Sequence, residues 1–233
     1  MSFEFVKLPE LDFDLKSVTT DSGRMYETPN GVNYPSITTV LSAYSKKGIS
    51  EWRARVGEEV ANKISGAASR RGTALHTICE KYLLNELSES TMMPATKQLF
   101  LQLKPHLLEN LGKIYCLEQS LYSDYLKIAG RVDCIAEWKG KLSVIDFKTS
   151  SKKKDKAYIK NYFMQCSAYA TMFTELTGKH IEDIVVMIAT EEEMHPTIFE
   201  ENKYNYFSEL VQYIDDYGKS ISVSHLQASQ CVI

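Results

Sequence analysis

The sequence contains no apolar run of about 18 residues, the length a helix needs to cross a bilayer. Its N-terminus, MSFEFVKLPELDFD, lacks the basic and apolar regions of a signal or transit peptide. These absences lead us to expect a cytoplasmic protein with no membrane partner. Cysteine is scarce and poorly spaced for chemistry. Cys79, Cys116, Cys134, Cys166 and Cys231 are odd in number and form no C-x-x-C pair, which indicates reduced core thiols rather than disulfides or zinc ligands. No internal repeat or low-complexity linker interrupts the chain. Strong net charge is missing too, and a balance of −3 on its own disfavours a nucleic-acid partner.

That balance conceals an uneven distribution. Residues 46–71 carry seven Lys or Arg against three acids, and KKKDK at 152–156 adds four lysines. Residues 182–216 hold ten acids against one lysine. A basic side and an acidic back are compatible with DNA, although solvated helix faces would leave the same pattern. At 233 residues and 44% hydrophobic composition, the chain can bury a substantial core. We expect residues 1–94 to form a hairpin and helical region and 95–233 a catalytic core, together one compact body.

The first 35 residues read as loops and short strands, with a hairpin near Pro29-Asn30-Gly31. Ser36 is placed to cap a helix through Tyr44, and Ser50 another from Glu51 to Ile64. Ala67–Asn85 shows an apolar stripe at helical spacing, and Ala95–Asn110 is a helix with a kink or break expected near Pro105. From Ile114 the period becomes two, giving strands near 114–122, 126–138 and 142–149. A helix over 157–177 ending at Gly178, a strand over 184–189 and a helix over 204–217 complete an α/β fold with a mixed sheet flanked by helices.

The stretch GRVDCIAEWKGKLSVIDFKT, residues 130–149, carries the chemistry. Alternation sets Val132, Cys134, Ala136 and Trp138 on one strand face and Asp133, Ile135 and Glu137 on the other. With the turn centred on Lys139-Gly140, Asp133 lies opposite Asp146, roughly 5 Å away. Two carboxylates so placed repel by about 3 kcal/mol at an effective dielectric of about 20. A Mg²⁺ or Mn²⁺ ion reverses that sign, with the Phe147 carbonyl as a further oxygen ligand. Lys148 shares the face of Asp146, where its charge can support attack on a phosphate. A merely solvated hairpin face is the alternative.

Other residues are candidates to complete a site. His76 lies on the long helix, where spacing alone cannot bring it to the hairpin; as neutral imidazole it would favour Mn²⁺. Glu80, one turn on, is placed to orient it or is simply an exposed helix acid. Glu118, in the preceding strand, is a candidate metal carboxylate or a solvated acid. Gln165 and Tyr169, at i and i+4, are suited to a phosphate and a base, or to ordinary helix packing.

In their order along the chain, His76, Gly130 with Asp133, Asp146 with Lys148, and Gln165 with Tyr169 resemble the motifs of the PD-(D/E)xK nuclease superfamily, RecB-like exonuclease branch. Within it, GRVDCIAEWKGKLSVIDFKTSSK, PSITTVL and RRGTALH are similar to the mitochondrial genome maintenance exonuclease group. The resemblance implies a restriction-endonuclease-like core, His76, Asp133, Asp146 and the Phe147 carbonyl as metal ligands, and Lys148 as the catalytic lysine alongside Asp133 and Asp146. It implies a metal-dependent exonuclease on single-stranded DNA ends or flaps, acting in replication, recombination or DNA degradation; the alternatives are a structure-specific or double-strand-processing nuclease working with a recombination partner, or a non-catalytic DNA-end-binding module. Arg53, Arg70, Arg71, Lys152, Lys153, Gln165 and Tyr169 would contact DNA, with Trp52 a second candidate for base stacking. Some RecB-like relatives carry an iron–sulfur cluster on one N-terminal and three C-terminal cysteines; only Cys231 follows Cys166 here, so we expect none. Without a targeting segment, a bacterial or phage source is expected.

Overall fold

In this computed structural model, which describes residues 2–88 and 92–230, the chain builds two sheets. The smaller is antiparallel, formed by β1 (Lys16–Thr20), β2 (Gly23–Glu27) and β3 (Asn33–Pro35). The expected hairpin is the β2–β3 turn, where Gly31 N–H donates to the Thr28 carbonyl at 2.9 Å.

The larger sheet runs β4 (Leu111–Ser123), β5 (Ile128–Trp138), β6 (Lys141–Ser150), β7 (Asp183–Thr190) and β8 (Thr197–Asn202) in chain order. Only β6 and β7 are parallel, because the helix α4 (Lys160–Thr177) carries the chain back across the sheet between them. Gly178, with φ +71°, ends α4 in the left-handed conformation expected there. The hairpin register is the expected one: Lys139 and Gly140 both have positive φ, as a two-residue turn requires, and Trp138 pairs with Lys141 and Cys134 with Ile145. The edge strand β8 has no counterpart in the sequence reading; it is only six residues, TIFEEN, without clean alternation.

The helical region differs from expectation. There are two long helices, α1 (Ile37–Val56) and α2 (Glu58–Leu83), instead of three shorter ones. Ser36 does cap α1, its Oγ accepting from Thr39 N–H at 3.0 Å. Ser50, however, sits inside α1, because its upstream neighbours are already helical and a cap signal does not stop a helix that can continue. The break falls at Gly57, whose φ of +87° suits glycine. The next helix, α3 (Pro94–Asn110), remains one helix through Pro105, and α5 runs from Tyr204 to Gln230 rather than ending at Tyr217.

The large sheet is covered on both faces. On one, α1, α4 and α5 bury Ile37, Phe163, Phe173 and Leu210 with Ile135, Val144 and Val186. On the other, α2 and α3 bury Leu75, Leu83, Phe100 and Leu103 with Cys134, Ile145, Phe147 and Met187. Both cores therefore take residues from either side of position 94. The alternation predicted for β5 holds from Cys134 to Trp138 but reverses before it: Ile128 and Val132 join the α4 side, whereas Cys134 and Ala136 join the α2 side. Val132 thus does not share a face with Cys134. The reversal falls at Asp133.

Candidate metal centre

The site forms where β5 leaves β6. Their ladder ends at Cys134 and Ile145, one residue short of Asp133 and Asp146, while β6 continues along β7 to Ser150. A fork opens between the strands. Phe147 N–H donates across it to Asp133 Oδ2 at 2.9 Å, which fixes the carboxylate in place of a backbone bond. In an extended strand the N–H and C=O of one residue point to the same side, so the Phe147 carbonyl also faces the fork.

On the other side of β5, the ladder with β4 skips one position. Leu117 pairs with Cys134 and Gln119 with Val132, leaving Glu118 level with Asp133 but unpaired. Glu118 has φ +47°, a conformation that costs a non-glycine residue about 1–3 kcal/mol and that a regular strand would never impose. Strain and the reversed pleat share a cause: the backbone rotates here, and Glu118, Asp133 and Asp146 fall in one row across three strands.

Helix α2 brings the imidazole to this row. Leu75, Cys79 and Leu83 are fully buried against the sheet, which sets His76 over its rim. His76 Nδ1 lies 3.5 Å from Asp133 Oδ1 and 3.8 Å from Glu118 Oε1, and ligand atoms of the three residues lie within 4.8 Å of one another. A groove of about 420 Å³ opens above them, lined by Gly72, Thr73, His76, Thr77, Glu80 and Glu118.

Asp146 stands beside this trio, ion-paired with Lys148 Nζ, which lies 5.2 Å from the centre of the Tyr162 ring on α4. Burial pushes the Asp146 carboxyl above the usual carboxylate range; Lys148 draws it down and Asp133 adds to the rise. Burial works to discharge Lys148, but Asp146 and Asp133 outweigh it and hold the ammonium more firmly protonated than an ordinary lysine. Burial likewise opposes charge on His76, yet the nearby Glu118 and Asp133 carboxylates raise it to about 8. A proton thus balances charges that a divalent cation could balance instead. One imidazole nitrogen and two carboxylates, converging on an open groove, fit a hard or borderline cation such as Mg²⁺ or Mn²⁺.

The other expected contacts are less uniform. Tyr169 is only 2% exposed and packs on Gly130, where an added Cβ would lie 2.9 Å from the ring Cε1 and from the hydroxyl. It is a packing residue and has no face to offer a base, which corrects the assignment of Tyr169 to DNA contact. Gln165 is half-buried in a small cleft beside Thr38, Leu41, Ile49 and Asn161. Arg70, Lys152 and Lys153 are exposed. Arg53 is ion-paired with Glu58 and bonded to Asn62, and Arg71 is ion-paired with Glu191. Trp52 is half-buried. Cys79, Cys116, Cys134 and Cys166 are free, buried thiols, and Cys231 lies outside the described residues. Tyr162 was missed, though it sits one helical turn before Gln165, a spacing that could have drawn it in.

A fork of carboxylates with a buried lysine, set in a mixed sheet between helices, defines a nuclease core. The chain belongs to the PD-(D/E)XK nuclease superfamily, which residues 50–228 match. It is 30% identical over 173 residues, 70% of its length, to mitochondrial genome maintenance exonuclease 1 of Xenopus tropicalis, and covers 49% of that protein. It is 29% identical over 133 residues to the human protein of the same name, covering 52% of this chain and 38% of that one. The matches thus span about half or less of these relatives.

Proposed function

We propose that the chain is a divalent-metal-dependent deoxyribonuclease that degrades single-stranded DNA from free ends or flaps. The observation that carries this reading is the convergence of His76, Glu118 and Asp133 within 4.8 Å, beside the Lys148–Asp146 pair. His76, Glu118 and Asp133 would hold Mg²⁺ or Mn²⁺, with Asp146 and the Phe147 carbonyl next to them. When bound, the cation supplies positive charge to phosphate oxygens and acidifies water. Lys148, oriented by Asp146 and Tyr162, places a fixed charge where negative charge grows as the phosphodiester is attacked. Because that lysine is held protonated, it serves as an electrostatic group and not as a base.

The preference for ends draws on the helices ahead of the core. The second half of α1 and the first half of α2 are mostly exposed and carry Lys47, Arg55, Lys63 and Arg70. Such an arm suits a strand led toward the groove, and the names of the relatives include exonuclease activity. Linear and circular single-stranded DNA of one sequence, the linear form labelled at each end in turn, provide the test in Mg²⁺ and in Mn²⁺. The linear form should shorten to oligonucleotides while the circle persists. Rapid cutting of the circle would replace the exonuclease with an endonuclease, and no cutting in either metal would remove the catalytic reading.

A further inference from the structure

Arg71 adjoins Gly72, where the groove over the metal centre begins, and lies five residues, about 7.5 Å of helix, ahead of His76. Its side chain is 17% exposed, and Nη1 meets Glu191 Oε2 at 2.7 Å. Its Nε is buried and has no hydrogen-bond partner among the described residues. Glu191 directly follows β7, its N–H donating to the Ser150 carbonyl of β6 at 3.1 Å. Just before it, Thr190 is 1% exposed and its Oγ1 also lacks a partner among the described residues. These groups gather at the carboxyl ends of the two parallel strands, the edge of an α/β sheet where ligands bind.

The terminal N–H groups of a guanidinium form a planar fork that can take two oxygens of one anion, and a phosphate fits it as a carboxylate does. Glu191 engages one arm only, from a side chain 50% exposed. An ion pair of that kind contributes about 1 kcal/mol or less, so an arriving anion can displace it.

We propose that Arg71 clamps a DNA phosphate neighbouring the scissile one, and that Glu191 occupies the clamp until a strand displaces it. Glu191 is thus an internal stand-in for substrate that screens out weakly bound anions. This rests on the reading of the chain as a DNA nuclease. A strand whose scissile phosphate lies over His76, Glu118 and Asp133 would pass Gly72 and come within about one and a half helical turns of Arg71, which lies round the helix from His76 toward the carboxyl end of β7.

The experiment measures affinity for a single-stranded oligonucleotide in chelator, where cleavage is silent, across a salt series, with a melting curve for each variant. Glu191→Gln should tighten binding by up to about fivefold, the equivalent of a surface pair released. Glu192→Gln, at an exposed neighbour, removes the same charge and should change affinity far less. Arg71→Gln should weaken binding and lower the salt slope by about 0.7, one phosphate contact to a single strand. In that background, Glu191→Gln should give no gain. Arg71→Lys keeps the charge and a partner for Glu191 but loses the fork, and should bind DNA more weakly while melting as the wild type does. Equal effects of Glu191→Gln and Glu192→Gln, or full affinity in Arg71→Lys, would overturn the clamp while wild-type cleavage still upheld the nuclease. A wild type that neither bound nor cut DNA would overturn both.

Discussion

Lys148 and Asp146 restrain each other's charge, and that changes what a substitution should do. Facing carboxylates alone suggest that removing Asp146 relieves repulsion and leaves the metal-free protein as stable as before. With Lys148 paired to it, Asp146→Ala instead strands a mostly buried ammonium. We expect a loss of about 3 kcal/mol in chemical denaturation with chelator present, together with loss of cleavage. Lys148→Met should cost less stability, because Asp146 already sits above the usual carboxylate range and can take up a proton. Its turnover should fall by about 100-fold or more while oligonucleotide affinity changes little, as single-turnover rates and titration would show. At His76 the sign is set by a folded value of about 8 against an ordinary 6.5. The stabilising contribution is complete below pH 6.5 and disappears as pH rises through 8, about 2 kcal/mol or less. Metal-free wild type should lose that stability over this window and His76→Gln should not; parallel curves would remove the charged imidazole from the account.

Packing between elements explains the glycine in the Gly130–Asp133 motif. Strand β5 meets α4 and α1 so closely at Gly130 that an added methyl would also lie 3.3 Å from Ile37 Cγ2, besides its clash with Tyr169. Gly130→Ala should therefore destabilise by about 1–3 kcal/mol, through overpacking rather than backbone strain. Because Asp133 is three residues along the same strand, activity should fall as well. Equilibrium denaturation and cleavage assays together check this, and an unchanged midpoint would mean that α4 gives way easily. The α1–α2 arm has the opposite character: few buried side chains beyond α1's first turns, Gly57 at its elbow, and a basic surface.

Across the molecule, a net charge of −3 coexists with a basic arm and the lysines after β6. Acidic residues gather instead along the segments following α4, so any attraction for DNA is local and screened by salt. Replacing Arg70, Lys152 and Lys153 together with alanine should weaken oligonucleotide binding alike for every sequence and lower the salt slope by up to about 2. Binding isotherms at several salt concentrations would measure it. An unchanged slope would place the backbone-tracking charges elsewhere on the surface.

The hairpin was legible from local rules, since alternation and a Lys-Gly turn are properties of neighbouring residues, and they set the register that brings Asp133, Asp146 and Lys148 together. Ser36 and Gly178 marked helix ends for the same reason: a cap acts within one turn. Local rules failed where a distant packing choice prevailed. Ser50 lies inside a helix, β8 gains its place from β7, and the pleat reverses at Asp133 level with Glu118 on the neighbouring strand, whose backbone is left-handed. Tyr169 has the spacing of a surface contact but is buried against Gly130, which lies far from it in the chain. The residue types needed for a metal centre were present in the sequence. Their convergence required α2 to carry His76 across the sheet and β5 to part from β6, because both depend on contacts between segments that no local periodicity records.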